Sequence, residues 1–285
     1  MPETPRLNGV VKQLAAGKPV FLPFMVPNAE NAVTIANTDY DGVVWEMEHS
    51  VYDIRNLRDT LQYMLSRQQI VDGGTLAPKV TPFVRIPPNG VEKASWIAKQ
   101  VLDIGVYGII WPHVGSVEEA YNCVAACRYP KRKEHPIYHP FGIRGDAPNT
   151  AARYWGIPNQ EYYKRADVWP LLPEGEVMAV LQIEELRAIK ALPDMLKEVP
   201  GIGAILIGEG DLGQEMGIPR QYDHPDLRAA MAEIIRICKE HNVPVGHPHV
   251  DADNVERVLS EGYTWLMPSP VTSHPGLVKG RQLAG

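Results

Sequence analysis

Glu184 and Asp211 each stand just beyond a short apolar run, in Met178-Ala-Val-Leu-Gln-Ile-Glu184 and Ala204-Ile-Leu-Ile-Gly-Glu-Gly-Asp211. Each run is rich in branched residues and too short for a buried helix, so each reads as a core strand. A carboxylate at the end of such a strand sits where the chain leaves the core. Two of them on successive strands can point into one cavity and hold a hard divalent cation through oxygen. The pattern predicts a metal-dependent enzyme.

The elements that must position this pair alternate along the chain. Strands are expected at Pro19–Met25, Asp41–Met47, Lys79–Arg85, Gly108–Trp111, from Met178 to Glu184, up to Ile207, and at Val243–Gly246 and Thr264–Met267. Helices are expected at Ala29–Asn37, Tyr52–Arg67, Val91–Asp103, Val117–Cys127, Leu186–Leu196, Pro225–His241 and Ala252–Glu261. Ile54, Leu57, Leu61 and Met64, three or four apart, show the helical period plainly. Eight strands alternating with helices predict an α/β fold, a single (β/α)8 barrel spanning 1–285. An open nucleotide-binding sheet would want a Gly-rich turn after the first strand, and Met25-Val-Pro-Asn-Ala-Glu supplies none. Two stretches interrupt the alternation: a polar loop from Gln68 to Pro78, and a long excursion over about 128–175 rich in Pro and aromatic residues. The excursion is read as a substrate lid or a subunit contact, with short helices near Thr150-Ala-Ala-Arg-Tyr.

In such a barrel the active site lies at the carboxyl ends of the strands. Those ends carry Glu46, Glu48 and His49, then Arg85, His113, Gln182 and Glu184, and Gly210 with Asp211. Scattered in sequence, these groups are expected to converge. Taken singly, Arg85 could cap a helix and His49 could be a solvated loop residue, but both fall at the same end of their strands. His247 and His249, with Asp251 nearby, offer a His-rich metal site that ranks below the carboxylate pair.

Composition narrows the class. The chain of 285 residues is 45% hydrophobic and 22% charged, ordinary values for a globular protein. A net charge of −6 with a pI near 5.9 gives no basic patch for nucleic acid. No apolar run approaches the roughly 20 residues needed to cross a bilayer, and the N-terminal residues lack a signal-peptide layout. Cys123, Cys127 and Cys238 read as buried reduced thiols rather than a metal site. A cytoplasmic protein is expected.

Several motifs, in order, resemble one family. They are Glu46-Met-Glu-His49, Val84-Arg85 with Pro88-Asn89, Leu102-Asp103-Ile-Gly105, Gly142-Ile-Arg-Gly145, Gln182-Ile-Glu184 and Ile207-Gly-Glu-Gly-Asp211-Leu. Together they resemble the class II pyruvate-dependent aldolases of the HpcH/HpaI type (4-hydroxy-2-oxoheptane-1,7-dioate aldolase), in the phosphoenolpyruvate/pyruvate barrel superfamily. The resemblance runs over roughly residues 18–270. It implies a lyase that reversibly cleaves a 4-hydroxy-2-oxo acid into pyruvate, or a close analogue, and an aldehyde through a metal-stabilised enolate. Glu184 and Asp211 match the metal ligands, and the ion implied is Mg²⁺, Mn²⁺ or Co²⁺. Arg85 matches the arginine that stabilises the enolate oxygen. Gln182, Gly210 and Asp211 match positions that hold the pyruvate part, and Glu46 and Glu48 match carboxylates just outside the metal's own ligands. His49 matches the general base acting on the 4-hydroxyl.

The base's partner by resemblance is Asp103. It closes a helix before the fourth strand, at the end of the barrel expected to lie away from His49. A neighbouring subunit must then bring it, and the resemblance implies a hexamer with shared sites.

Four departures bear on the aldehyde side. Glu46 replaces the usual Asp, Met47 the usual Gly, and His113 a common Met, while Lys131–Pro140 has no usual counterpart. The nearest alternative is a decarboxylase of oxaloacetate type, which uses the same enolate. A lyase of malate- or citrate-type acyl-CoA esters would want a basic cluster for the CoA phosphates. A non-catalytic barrel that binds a metabolite is the alternative from a different class.

Overall fold

Successive side chains of a strand point to opposite faces, so in a closed sheet every second residue faces the axis. The computed structural model describes residues 5–88, 93, 95–268 and 274–285. Its strands are β1 Val20–Phe21, β2 Phe24–Met25, β3 Gly42–Glu46, β4 Thr81–Arg85, β5 Gly108–Trp111, β6 Met178–Ile183, β7 Ile202–Ile207, β8 Val245–Val250 and β9 Trp265–Pro268. All pair in parallel, in the order β1-β9-β8-β7-β6-β5-β4-β3-β2.

β1 and β2 are two pieces of the first expected strand. Pro23, between them, has no N–H to give to a ladder. Its carbonyl still accepts from the Val44 N–H at 2.9 Å, while the Leu22 N–H donates to Leu266 O at 3.0 Å. The same strand thus bonds to both ends of the sheet and closes it. The fold is the α/β barrel that the alternation predicts.

Two apolar clusters follow from the alternation. Val20, Leu22, Val44, Phe83, Ile110, Met178, Val180, Ala204, Leu206, Trp265 and Met267 fill the axis. Val43, Trp45, Ile109, Leu181, Ile205 and their like face outward against the helices. Two residues beyond an axis-facing one, the next side chain also faces the axis. Val44 therefore places Glu46 there, Phe83 places Arg85, and Val180 places Gln182 and then Glu184. Packing low in the barrel aims polar groups at its mouth.

The structure departs from expectation at several boundaries. A helix at Gly9–Ala15, capped by Asn8, adds Val10, Val11 and Leu14 to the axial cluster at the amino ends of the strands. Gln68–Pro78 is not simply a loop: Arg67–Gly73 is helical, started by the Ser66 cap and ended by Gly74 at φ 59. Asp53 starts the helix Ile54–Met64, shorter than expected. The helix before β5 is described over Ser95–Asp103, and its expected start at Val91 lies outside the described residues, as does Asn89. β8 runs on to Val250, so His247 and His249 belong to the strand itself. Asp211 sits in a short helix, Glu209–Glu215, that directly follows β7.

The long excursion contains the helices Asn149–Trp155 and Asn159–Arg165. Arg128, fully buried, fastens it to the barrel. Its guanidinium donates to Asp167 from Nε at 2.6 Å and from Nη2 at 3.1 Å, and to the carbonyls of Pro140 and Ile137 at 2.5 and 2.8 Å. Gly142 passes so close that a β-carbon there would stand 2.3 Å from the Tyr129 carbonyl oxygen, so glycine is required. Removing one partner from a buried ion pair strands the other charge, at about 3–5 kcal/mol. Asp167→Ala should lower the unfolding free energy by about that amount in urea titrations. A change under about 1 kcal/mol would show that the network does not hold the excursion.

Candidate active site

Three strands, β3, β4 and β6, deliver their axis-facing polar residues to the carboxyl end of the barrel. Arg85, the last residue of β4, donates from Nε to Glu46 Oε2 at 2.7 Å, and its Nη2 pairs with the same oxygen. Its guanidinium carbon lies 4.3 Å from the ring centre of Phe24 on β2, a cation–π contact. Nη1 reaches to 3.5 Å from Gln182 Oε1 on β6. Salt bridge, aromatic face and amide together hold the planar group in one orientation.

Glu46 also shapes the loop that follows it. Its Oε1 accepts the N–H groups of Glu48 and His49 at 2.7 and 2.9 Å, and its carbonyl accepts from Ser50 Oγ. This turn directs Glu48 inward, where its side chain is 4% exposed. Oε2 of Glu48 stands 3.1 Å from Arg85 Nε and 3.6 Å from His49 Nε2. His49 is the open member, with a side chain 63% exposed.

Glu184 follows β6 and is fully buried. Gln182 Nε2 donates to its Oε2, and the N–H of His113 donates to its Oε1 at 2.6 Å. A β-carbon at Gly208 would stand 2.2 Å from Glu184 Oε2, so glycine leaves the carboxylate its room. Among the described residues, one group of three has the spacing of metal ligands: Glu48, His113 and Glu184 each offer an atom within 4.8 Å of the others. This donor set fits a divalent ion, since two buried carboxylates without a full counter-charge are what such an ion neutralises.

Asp211, expected with Glu184, is not in that group of three, although its charge acts on Glu48 and His113. Gly210 beside it faces open space. Glu48 was expected outside the ligands and instead lies among the converging atoms. Asp103 does not meet His49 in the chain: its carboxylate accepts from Arg144 Nη2 at 3.1 Å. It lies on the barrel flank, lining an open cavity of about 470 Å³ with Ile54, Gln100, Ala147, Asn149 and Thr150. Tyr52, three residues past His49, donates to Gln100 at 2.9 Å, so the two neighbourhoods are less far apart than strand direction alone suggests. His247 and His249 face the helical layer. The first packs on Tyr263 and the second pairs with Glu209, so they form no metal site with Asp251 among the described residues.

Sequence reasoning missed Phe24 and Glu185, and held Gly208 only as part of a motif. The places of Phe24 and Gly208 are accessible from alternation, since Phe24 continues the series Val20, Leu22 and Gly208 continues Ala204, Leu206. Glu185, at the cap of the next helix, carried no such signal.

Burial pushes the carboxyl groups of Glu48 and Glu184 up to about 7. Arg85 and His113 oppose the rise at Glu48, and Gln182 and His113 oppose it at Glu184. Burial lowers the His113 pKa, but Glu184, Glu185 and Glu48 outweigh it and the net shift is upward. Burial holds His247 down at about 4.

The fold and the site define a (β/α)8-barrel enzyme whose strand ends carry a carboxylate–imidazole cluster able to hold a cation. Comparison with known proteins places it further. The family model for HpcH/HpaI aldolase/citrate lyase matches residues 20–267. A pyruvate aldolase of Rhizobium etli is 31% identical over 259 residues, covering 90% of this chain and 88% of that protein. A 4-hydroxy-2-oxo-heptane-1,7-dioate aldolase of Salmonella heidelberg is 30% identical over 236 residues, covering 80% and 75%. The crystal structure of an HpcH/HpaI aldolase from Desulfitobacterium hafniense superimposes with a TM-score of 0.72 at 24% identity, covering 90% and 88%. The chain belongs to the HpcH/HpaI aldolase/citrate lyase family and is a carbon–carbon lyase of the aldolase type.

A carboxyl group whose folded pKa exceeds its unfolded value binds its proton more tightly when folded. Its contribution to stability is present below the unfolded pKa, near 4.5 for Glu48, and is lost as pH rises through about 7. Glutamine carries no charge to desolvate. In EDTA, the parent should therefore lose stability relative to Glu48→Gln between pH 5 and 7.5, by on the order of 1–2 kcal/mol after solvent screening. Thermal unfolding of both proteins across that range measures it, and a constant difference would contradict the burial of this carboxylate.

Proposed function

We propose that the chain is a divalent-metal-dependent aldolase that cleaves a 4-hydroxy-2-oxo acid into pyruvate, or a close analogue, and an aldehyde. The observation that carries this reading is the convergence of Arg85, Gln182 and Glu184 on one axis-facing surface beside Glu48 and His113. Carbon–carbon cleavage next to a 2-oxo group leaves an enolate, and negative charge grows on the former oxo oxygen. The bound cation, Mg²⁺, Mn²⁺ or Co²⁺, supplies Lewis-acid stabilisation of that charge.

Each protein group then has a part. Glu184 and Asp211 hold the cation. Gln182 and the backbone at Gly210 orient the pyruvate portion. Arg85 sets a planar pair of donors where the charge develops, already fixed by Glu46 and Phe24, so no reorganisation is needed during reaction. His49, the most open of these groups, removes the proton from the 4-hydroxyl. Glu46 positions both Arg85 and the turn that bears His49. Asp103 of a neighbouring subunit supports His49, in a homo-oligomer that by resemblance is a hexamer. The flank cavity at Asp103 supports this reading, being a concave surface open to such a neighbour. A cytoplasmic location completes the proposal.

Purified protein should release pyruvate from racemic 4-hydroxy-2-oxo acids, stop in EDTA and resume on adding Mn²⁺ or Mg²⁺. Pyruvate release indifferent to EDTA would reject the metal chemistry. Arg85→Lys keeps the charge but loses the planar fork, and kcat should fall by about 10²–10³. Steady-state kinetics within a few-fold of the parent would give Arg85 a structural role instead.

Subunit sharing has its own test. Inactive His49→Ala and inactive Asp103→Ala proteins, mixed under conditions of subunit exchange, should regain activity. Mixed oligomers confirmed by mass spectrometry yet still inactive would place the site within one chain.

A further inference from the structure

His113 has features that neither helix capping nor packing requires. It follows β5 by two residues and takes up φ 56, in the left-handed region that β-carbon sterics disfavour. The Glu184 carboxylate holds it there through the His113 N–H at 2.6 Å. The backbone of one residue and the carboxylate of the other thus form a single rigid unit.

The ring is clamped as well. Nδ1 lies 3.1 Å from Glu185 Oε1, and a carboxylate acceptor at that distance places the proton on Nδ1. In the neutral ring Nε2 then carries the lone pair, 3.8 Å from Glu48 Oε1. A histidine that gives its other N–H to a carboxylate is the arrangement by which metal-binding imidazoles are oriented and made more basic. Across the site, Oε2 of the buried Glu48 lies beside Arg85 without accepting a hydrogen bond from any described residue. Two donors held about 2.1 Å from one tetrahedral ion stand about 3.4 Å apart. The observed spacing of 3.8 Å from Nε2 to Glu48 Oε1 needs only a slight closing around an ion, and Glu184 completes the group whose ligand atoms lie within 4.8 Å of one another.

We infer that His113 is itself a metal ligand, through Nε2, and that this nitrogen turns the site toward Co²⁺ and Zn²⁺ at the expense of Mg²⁺. Imidazole suits these borderline ions, whereas an all-oxygen shell suits Mg²⁺. The inference rests on the metal-dependent reading above and refines it: the four-residue stretch Trp111-Pro-His-Val114 determines which cation is held. The competing role, a protonated ring that merely pairs with Glu48, Glu184 and Glu185, predicts the opposite sign. A fixed positive charge there would repel the ion, and its removal would tighten the binding of every cation.

The test uses the full chain, stripped of metal, as the parent, His113→Asn and His113→Met. Asparagine can still donate to Glu185 in place of Nδ1 but has nothing at the position of Nε2. Each protein is titrated calorimetrically with Co²⁺, Zn²⁺ and Mg²⁺ singly, and circular dichroism confirms that each is folded. Both substitutions should weaken Co²⁺ and Zn²⁺ by at least about tenfold while Mg²⁺ changes by less than about threefold. Pulsed electron paramagnetic resonance of the Mn²⁺-loaded proteins should show a nitrogen coupling in the parent that is missing from His113→Asn. Equal losses for all three ions, tighter binding of all three, or a coupling unchanged by the substitution would overturn the assignment. Pyruvate formation measured on the same samples separates the two readings. Metal-dependent cleavage without the nitrogen coupling rejects the ligand alone, and the coupling without cleavage rejects the aldolase reading alone.

Discussion

The site is organised by an excess of buried negative charge at the barrel mouth. Glu46, Glu48 and Glu184 are all largely withdrawn from water, and Asp211 acts on two of the neighbouring groups. One guanidinium, Arg85, faces this set directly, and it is already engaged by Glu46. Burying carboxylates without matching charge is costly, and such groups either keep a proton or recruit a cation. Burial pushes Glu48 and Glu184 upward, toward the first response. A divalent ion is the second, and it would place a strong Lewis acid beside Arg85, where the chemistry of a 2-oxo acid needs it.

The scaffold supports that arrangement from below. The axis below is filled by apolar side chains, and the helix Gly9–Ala15 closes the far end. The excursion that follows the fifth strand of the sheet is tied down by a guanidinium buried at its root, Arg128, with Asp167 and two carbonyl groups. It therefore begins from a fixed base rather than as a slack loop. Arg144, in the Gly142-Ile-Arg-Gly145 motif, makes its own pair with Asp103 and stacks on Tyr129 at 4.2 Å. The same excursion thus reaches the flank where Asp103 lies.

Much of this was legible in the sequence because period-two alternation is a local signal. Once Val44, Phe83 and Val180 are assigned to the axis, Glu46, Arg85, Gln182 and Glu184 must follow. What escaped depended on groups that meet only in three dimensions. Pro23 interrupts a ladder without breaking the barrel, because its carbonyl still accepts. The extension of β8 to Val250 turns His247 and His249 toward the helices, a distinction that knowing the strand end alone could not make. The role of Glu48 needed the turn formed by Glu46, and the clamp on His113 needed Glu185, which is distant in sequence. Asp103 was placed by strand direction at one end of the barrel, whereas the cavity it shares with Ile54 puts it on the flank.

The central claim is that this mouth stabilises the enolate of pyruvate, whichever aldehyde is its partner. Exchange of the pyruvate methyl hydrogens with deuterated water, followed by proton NMR without any aldehyde present, reports that step alone. The methyl signal should decay in the presence of protein and a divalent cation, persist in EDTA, and persist with Glu184→Ala. A methyl signal that stays constant with the cation-loaded parent, under conditions where the protein is folded and the cation is bound, would contradict it.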